Sequence, residues 1–184
     1  GISRVNLIDA TPIGVNVRST VATYSGVLDE LRRAFARTEE ARAGGLKPGA
    51  FSYNTGSLRC PTCDGTGQIT LDVQFLPDVD IECTECRGSR YGAQAASIRR
   101  DGLSLPDILA MSVDEARVAV RGLKKAGALL ETLSGLGLGY LTLGEATPAL
   151  SGGEAQRLKL ASEMGRRQDG TLFVFDEPTI GLHP

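Results

Sequence analysis

Apolar and polar residues alternate through Ser3-Arg4-Val5-Asn6-Leu7-Ile8-Asp9, a period of two that predicts a strand, and Thr11-Pro12-Ile13-Gly14 predicts the turn that ends it. From Thr23 the period changes. Val27, Leu28, Leu31 and Phe35 recur at helical spacing with Arg and Glu residues opposite, so one amphipathic helix is expected to run to Ala43-Gly44-Gly45, where glycine can take the left-handed cap conformation and Pro48-Gly49 prevents resumption. Residues 51 to 91 differ in character, rich in Gly, Asp and Cys with a β-type run at Gln68-Ile69-Thr70-Leu71-Asp72-Val73-Gln74-Phe75. They read as an inserted module. Ser104-Leu105-Pro106 then opens a short helix, and Ser112-Val113-Asp114-Glu115 fits a capping box. Helix is expected to about Leu133, where Gly135, Gly137 and Gly139 interrupt it. A further helix starts at Leu150-Ser151-Gly152-Gly153. The last segment, Thr171-Leu172-Phe173-Val174-Phe175, is an unbroken apolar run closed by Asp176-Glu177-Pro178, the pattern of a fully buried strand in a parallel sheet. The expected fold class is therefore α/β.

Composition narrows the function classes without choosing among them. The chain has 184 residues, 41% hydrophobic and 23% charged, with a formal net charge of −2, which is ordinary for a globular protein. It has neither an 18-residue apolar run nor a signal-peptide pattern at Gly1-Ile2-Ser3-Arg4, so no membrane and a cytoplasmic address are expected. Residues 1 to 90 carry 10 basic and 11 acidic side chains, and residues 91 to 184 carry the same numbers. Any nucleic-acid contact must then come from a local patch. One candidate is Arg117, Arg121, Lys124 and Lys125, which a single helix would gather on one face, either as a solvated surface or as a phosphate track.

The four cysteines are more informative. Cys60-x2-Cys63 and Cys83-x2-Cys86 are separated by 19 residues, the spacing of a four-thiolate zinc site. Gly65, Gly67 and Gly88 follow the pairs and suit backbone turns that aim amides at the sulfurs. A closed structural site does no chemistry of its own; it supplies the core that so short a segment lacks. Arg59, Arg87, Arg90 and Tyr91 are candidate phosphate or base contacts beside it, with ordinary surface arginines as the competing reading.

Leu150-Ser151-Gly152-Gly153-Glu154-Ala155-Gln156-Arg157 places Ser and two Gly at a helix start, where unpaired amides and the helix dipole favour an anion. About 20 residues later, Asp176-Glu177 ends the apolar strand. Such a carboxylate can hold Mg²⁺, and its neighbour can take a proton from an attacking water.

These two motifs, in this order, resemble the signature and Walker B motifs of ABC-type ATPases. The cysteine insertion, Phe75-Leu76-Pro77-Asp78-Val79, Gly137-Leu138-Gly139-Tyr140, and Asp176-Glu177-Pro178-Thr179 with Gly181-Leu182-His183 narrow the resemblance to the UvrA family, damage-recognition ATPases of nucleotide excision repair. The likeness covers nearly the whole chain and corresponds to part of the second nucleotide-binding half. It implies a part of an ABC ATPase domain with a helical signature subdomain and an inserted zinc module: residues 1–50 in the ATPase core, 51–95 the zinc module, 96–149 the helical subdomain, 150–184 the signature helix and Walker B strand. It further implies that Glu177 is the general base, that Asp176 assists Mg²⁺, and that Ser151, Gly152, Gly153, Glu154 and Gln156 serve ATP. Cys60, Cys63, Cys83 and Cys86 would hold zinc. Partners implied are damaged DNA, the other ATPase half, a second copy in a homodimer, and a UvrB-type protein. ABC sites are composite, so the two motifs would serve different ATP molecules. No G-x-x-x-x-G-K-[ST] occurs, and the chain alone is expected to be inactive. The sequence departs from the family at Ala10, where Gln is usual, at Val15, where Arg is common, and at Ile180, where Thr is usual; these changes make a paralogue plausible. Two other classes compete: a chaperone-type zinc module, which Cys60-x-x-Cys63-x-Gly65-x-Gly67 also resembles, and the ATPase of a membrane transporter, to which a cysteine insertion is foreign.

Overall fold

Three helices stand where the periodicity predicts one. The computed structural model, which describes residues 2–75, 77–164 and 171–176, has β1 (Arg4–Ile8), then α1 (Val21–Tyr24), α2 (Val27–Phe35) and α3 (Glu39–Ala43). Thr20 caps α1 through a reciprocal box with Thr23, and Thr38 caps α3 by accepting from the Ala41 amide. Gly26 separates α1 from α2 in the left-handed region at φ 83°. Each break thus has a local cause, a capping hydroxyl or a glycine, that outweighs continuous apolar periodicity.

Next come β2 (Gln68–Leu71), β3 (Val79–Glu82), α4 (Ala93–Ser97), β4 (Arg99–Arg100), β5 (Leu103–Ser104) and α5 (Leu105–Leu109). They are followed by α6 (Val113–Ala119), α7 (Lys124–Leu133), α8 (Gly152–Met164) and β6 (Thr171–Phe175). The expected capping box forms before α6, Ser112 with Glu115, and the short helix expected at Ser104 begins with a second one, Ser104 with Asp107 before α5. Residues Ser134–Leu138 extend α7 by one widened turn, and Gly137 at φ 76° ends it.

The chain forms two compact units. The first comprises Gly1–Leu28 and Met111–Pro184. Its core is made by Val21, Val27, Leu130, Leu133, Leu143 and Leu158, and α8 packs on α1, α7 and β1. Here β1 and β6 pair in parallel, with Val5 opposite Leu172 and Leu7 opposite Val174. The parallel pairing matches the sequence reading, but full burial of the last strand does not hold. Leu172 and Val174 are 44% and 41% exposed, and Val5 and Leu7 are both 61% exposed. Among the described residues, α8 packs on one face of this two-stranded sheet, and the apolar side chains of its other face are exposed.

The second unit is Asp29–Ala110. Phe35 and Phe51 pack with ring centroids 6.1 Å apart, and Tyr53 meets Tyr91 edge to face, also at 6.1 Å. Strands β2 and β3 form an antiparallel hairpin whose apolar side chains Leu71, Val79 and Ile81 are exposed.

Candidate metal centre and phosphate-binding turn

The cysteine pairs lie on two tight turns brought together by backbone pairing. The Cys60 amide donates to the Arg90 carbonyl and the Cys83 amide to the Gly67 carbonyl, both at 2.9 Å. All four sulfurs fall within 4.8 Å of one another. Cys60 Sγ is 4.0 Å from Cys83 Sγ, and Cys63 Sγ is 3.6 Å from Cys86 Sγ. A tetrahedron with metal–sulfur bonds of about 2.3 Å sets its sulfurs about 3.8 Å apart, so this cage has the size of a zinc site. Cys60, Cys63 and Cys83 are buried and Cys86 is partly so.

The thiols are prepared unequally. Burial pushes Cys63 up, but the Gly67 amide, then Cys86, Cys60 and the Gly65 amide, draw it down to about 7; the Gly67 N–H lies 3.2 Å from its sulfur. Burial holds Cys86 up at about 12, with Cys63 and Cys83 adding to the rise and only the Arg90 amide opposing it. In a packed cluster, the first thiolate formed raises the cost of the next. Four ionised thiols therefore coexist only around a cation.

Of the predicted contacts beside the cage, two are corrected. Arg90 is 5% and Tyr91 2% exposed, too buried to meet a phosphate or stack on a base. Arg90 instead lies over the Tyr53 ring, 5.0 Å from its centroid, and the Tyr91 hydroxyl donates to the Phe51 carbonyl at 2.6 Å. Arg59 pairs with Asp64 at 2.9 Å. Arg87 alone among the four is exposed. The basic patch is also corrected: α6 ends at Ala119 before Gly122, and Arg117 is engaged by Asp114 and Glu131. It cannot share one helical face with Lys124 and Lys125.

In the first unit, Ser151 caps α8 reciprocally with Glu154. The Glu154 amide donates to Ser151 Oγ at 3.3 Å, and the Ser151 amide donates to Glu154 Oε2 at 2.7 Å. A hydroxyl that accepts this bond keeps its own proton to donate outward. Burial raises the Glu154 carboxyl, but the Tyr140 hydroxyl, at 2.6 Å, and the Ser151 groups outweigh it and hold the group ionised. Its charge favours the helix start and is committed to the cap.

Gln156 is buried, and its amide nitrogen donates to two main-chain carbonyls, Ile8 at 3.1 Å and Asp176 at 2.6 Å. Gln156 thus holds the two strand ends in place. The exposed Asp176 sits where ligands bind in open α/β sheets, past the C-terminal ends of the strands. Sequence reasoning missed Lys159, whose ammonium reaches the loop after β1; a Lys three residues past Gln156 on the same helix face was the available signal. Glu177, Ile180 and His183 lie outside the described residues.

Comparison with known proteins decides what kind of chain this is. It is 47% identical over 182 residues to the UvrABC system protein A of Synechocystis sp., covering 98% of this chain and 19% of that protein. The same protein of Thermus thermophilus is 45% identical over 183 residues, covering 99% of this chain and 19% of that protein. The crystal structure of UvrA2 from Deinococcus radiodurans superposes with a TM-score of 0.91 at 43% identity, covering 99% of this chain and 22% of that one. Over nearly its whole length the chain is similar to UvrA proteins. No family model matches it. It spans about a fifth of the length of the UvrA relatives it matches. The α/β reading with a cysteine module agrees with this UvrA-like fold and with the clustered sulfurs. Among the described residues, no helix is long and apolar enough to cross a membrane.

Proposed function

We propose that this chain is the part of a UvrA-like, DNA-binding ATPase of nucleotide excision repair that carries the signature turn, the Walker B strand and a structural zinc module. The observation that carries the reading is the docking of α8. One helix presents Ser151-Gly152-Gly153 at its capped start and, five residues on, fixes through Gln156 the strand end that bears Asp176. The four segments assigned from the sequence, 1–50, 51–95, 96–149 and 150–184, belong to this proposal.

Each residue then has a task. The amides of Gly152 and Gly153 and the outward Ser151 proton face the terminal phosphate of one ATP. At the strand end, Asp176 takes the Mg²⁺ of another nucleotide, and Glu177 accepts a proton from the attacking water. Bound Mg²⁺ supplies charge neutralisation for the phosphates. Glu154 keeps the turn in shape through its cap. Cys60, Cys63, Cys83 and Cys86 hold zinc and fix the local fold. The partners are damaged DNA, the other ATPase half, a second copy of the protein and a UvrB-type protein. Matches to UvrA that run through both motif regions favour this reading over a chaperone-type module or a transporter ATPase.

The test is ATP turnover by the intact parent protein with and without damaged duplex. Glu177→Gln should retain nucleotide binding and lower kcat by about 10²–10⁴-fold, the usual contribution of a positioned base. A parent protein that neither binds nor consumes ATP would sink the proposal.

A further inference from the structure

Gln156, Lys159 and Glu163 share one face of α8, being three and four residues apart. All three meet β1 or the loop after it. Asn6 Nδ2 donates to Glu163 Oε2 at 2.7 Å, and Gln156 donates to the Ile8 carbonyl at 3.1 Å. Lys159 Nζ is within hydrogen-bond reach of the Asp9 carbonyl at 3.2 Å, the Thr11 carbonyl at 2.8 Å, Thr11 Oγ1 at 2.9 Å and the Asp9 carboxylate. The contact between helix and strand end is thus a polar seam.

That seam behaves unlike an apolar one. Aliphatic side chains exchange partners as a helix slides, with little directional preference. An ammonium with three protons among four oxygens, 16% exposed, loses its partners together if the helix shifts by more than about an ångström, because hydrogen bonds weaken steeply with distance and angle. The loop it grips is short, and Ala10 at its centre has no polar side chain. Its place is therefore set by the grip on Asp9 and Thr11 to either side. Lys159 hydrogen bonding, then that of Thr11, holds the Asp9 carboxyl down at about 2, so the carboxylate stays ionised well below neutral pH.

We propose that Lys159 is a positioning residue that makes the Ser151-Gly152-Gly153 helix and the loop Asp9-Ala10-Thr11 move as one body, transmitting the state of the phosphate-binding turn to the strand ends. This rests on the nucleotide reading above. In that reading the turn and the strand ends serve different ATP molecules, so the Lys159 grip is the mechanical link between two sites within one chain.

Two variants of the intact parent protein test it. Lys159→Met keeps the stem and removes the charge; Asp9→Asn keeps a carbonyl acceptor and removes the partner charge. ATP turnover is followed against ATP concentration, alongside nucleotide affinity and thermal melting. Both variants should bring the Hill coefficient for ATP from above one to about one and lower kcat on the order of tenfold, with affinity for a single nucleotide within about threefold. If both keep wild-type cooperativity and kcat, the proposal is overturned. It is also overturned if kcat and nucleotide affinity fall together with the melting temperature while cooperativity persists, since that pattern marks a purely structural pair. A wild-type protein without turnover overturns the nucleotide reading and this proposal with it, whereas normal wild-type turnover with unaltered variants overturns this proposal alone.

Discussion

A methyl group on residue 65 would lie 1.7 Å from the Tyr53 carbonyl oxygen, and the backbone there has φ 78°. Gly65 therefore meets two demands at once, space and handedness. At Gly45 the φ is 65° but nothing lies within 4 Å of the added carbon, so only the conformational demand applies. Gly45→Ala should lower stability by about 1 kcal/mol, the usual cost of a left-handed alanine. Gly65→Ala should cost several times more and reduce bound zinc below one per chain, read by metal analysis and urea unfolding; full zinc with an unchanged midpoint would contradict this. The clustering of the four cysteines was legible at this scale because Cys-x2-Cys with Gly two and four residues beyond the second Cys points to a tight turn that presents both sulfurs. Arg90 and Tyr91 were not, because residue type does not show direction. Arg90 has φ 71°, which turns the chain so that the guanidinium enters the aromatic cluster. A hint did exist: with only five Phe and four Tyr in 184 residues, an aromatic beside a knuckle is more valuable as core than as a surface contact.

Caps decide where helices begin here, and their carboxylates make the effect depend on pH. The Ser112 amide donates to Glu115 Oε2 at 2.8 Å, and this bond, then the Ser112 hydroxyl, holds the Glu115 carboxyl below its usual range. A carboxyl with a lowered folded pKa stabilises above its unfolded value, near 4.3, and that contribution disappears as pH falls through the folded value. Glu115→Gln should therefore reduce stability at pH 7 and narrow the gap to wild type on acidification below about pH 4. Ser112→Ala should cost about 1 kcal/mol in a denaturant titration. A difference that widens with acid would refute the assignment. Sequence showed this cap because both partners sit in one tetrapeptide. It did not show the break between α2 and α3, where the Thr38 hydroxyl competes with an apolar stripe that points to continuity. Nor did it show that Arg117 is flanked by Glu131, 14 residues away on another helix. Neutralising that arginine as Arg117→Gln should leave the salt dependence of DNA binding by the parent protein unchanged, whereas a phosphate-contacting residue would reduce the slope by about one.

Across the whole molecule, the two units depend on different sources of order. The first is held by aliphatic side chains from several helices. Within the second, two kinds of core coexist. Phe35, Phe51, Tyr53 and Tyr91 pack as an aromatic group, while around the knuckles the buried cluster is Cys60, Cys63 and Cys83 themselves, with Ile69 and Cys86 against them. The hairpin beyond them contributes little, since Leu71, Val79 and Ile81 face outward and a two-stranded ribbon alone is marginal in water. In the proposed zinc-bound form, metal binding, on the order of 10 kcal/mol in small zinc domains, is then the main source of order for the two knuckles. Chelation should release protection of those amides in hydrogen exchange by orders of magnitude, while amides of α6, α7 and α8 keep theirs. The aromatic group should change by less than the knuckles, because its ring packing and the Tyr91–Phe51 hydrogen bond do not pass through the sulfurs. Acid should produce the same local opening, since protonated thiols no longer bind the metal and its affinity falls with pH. If chelation leaves the knuckle amides protected, the cage is held by its backbone pairing alone and the metal is dispensable to the fold; if it exposes α8 as well, the two units do not fold independently.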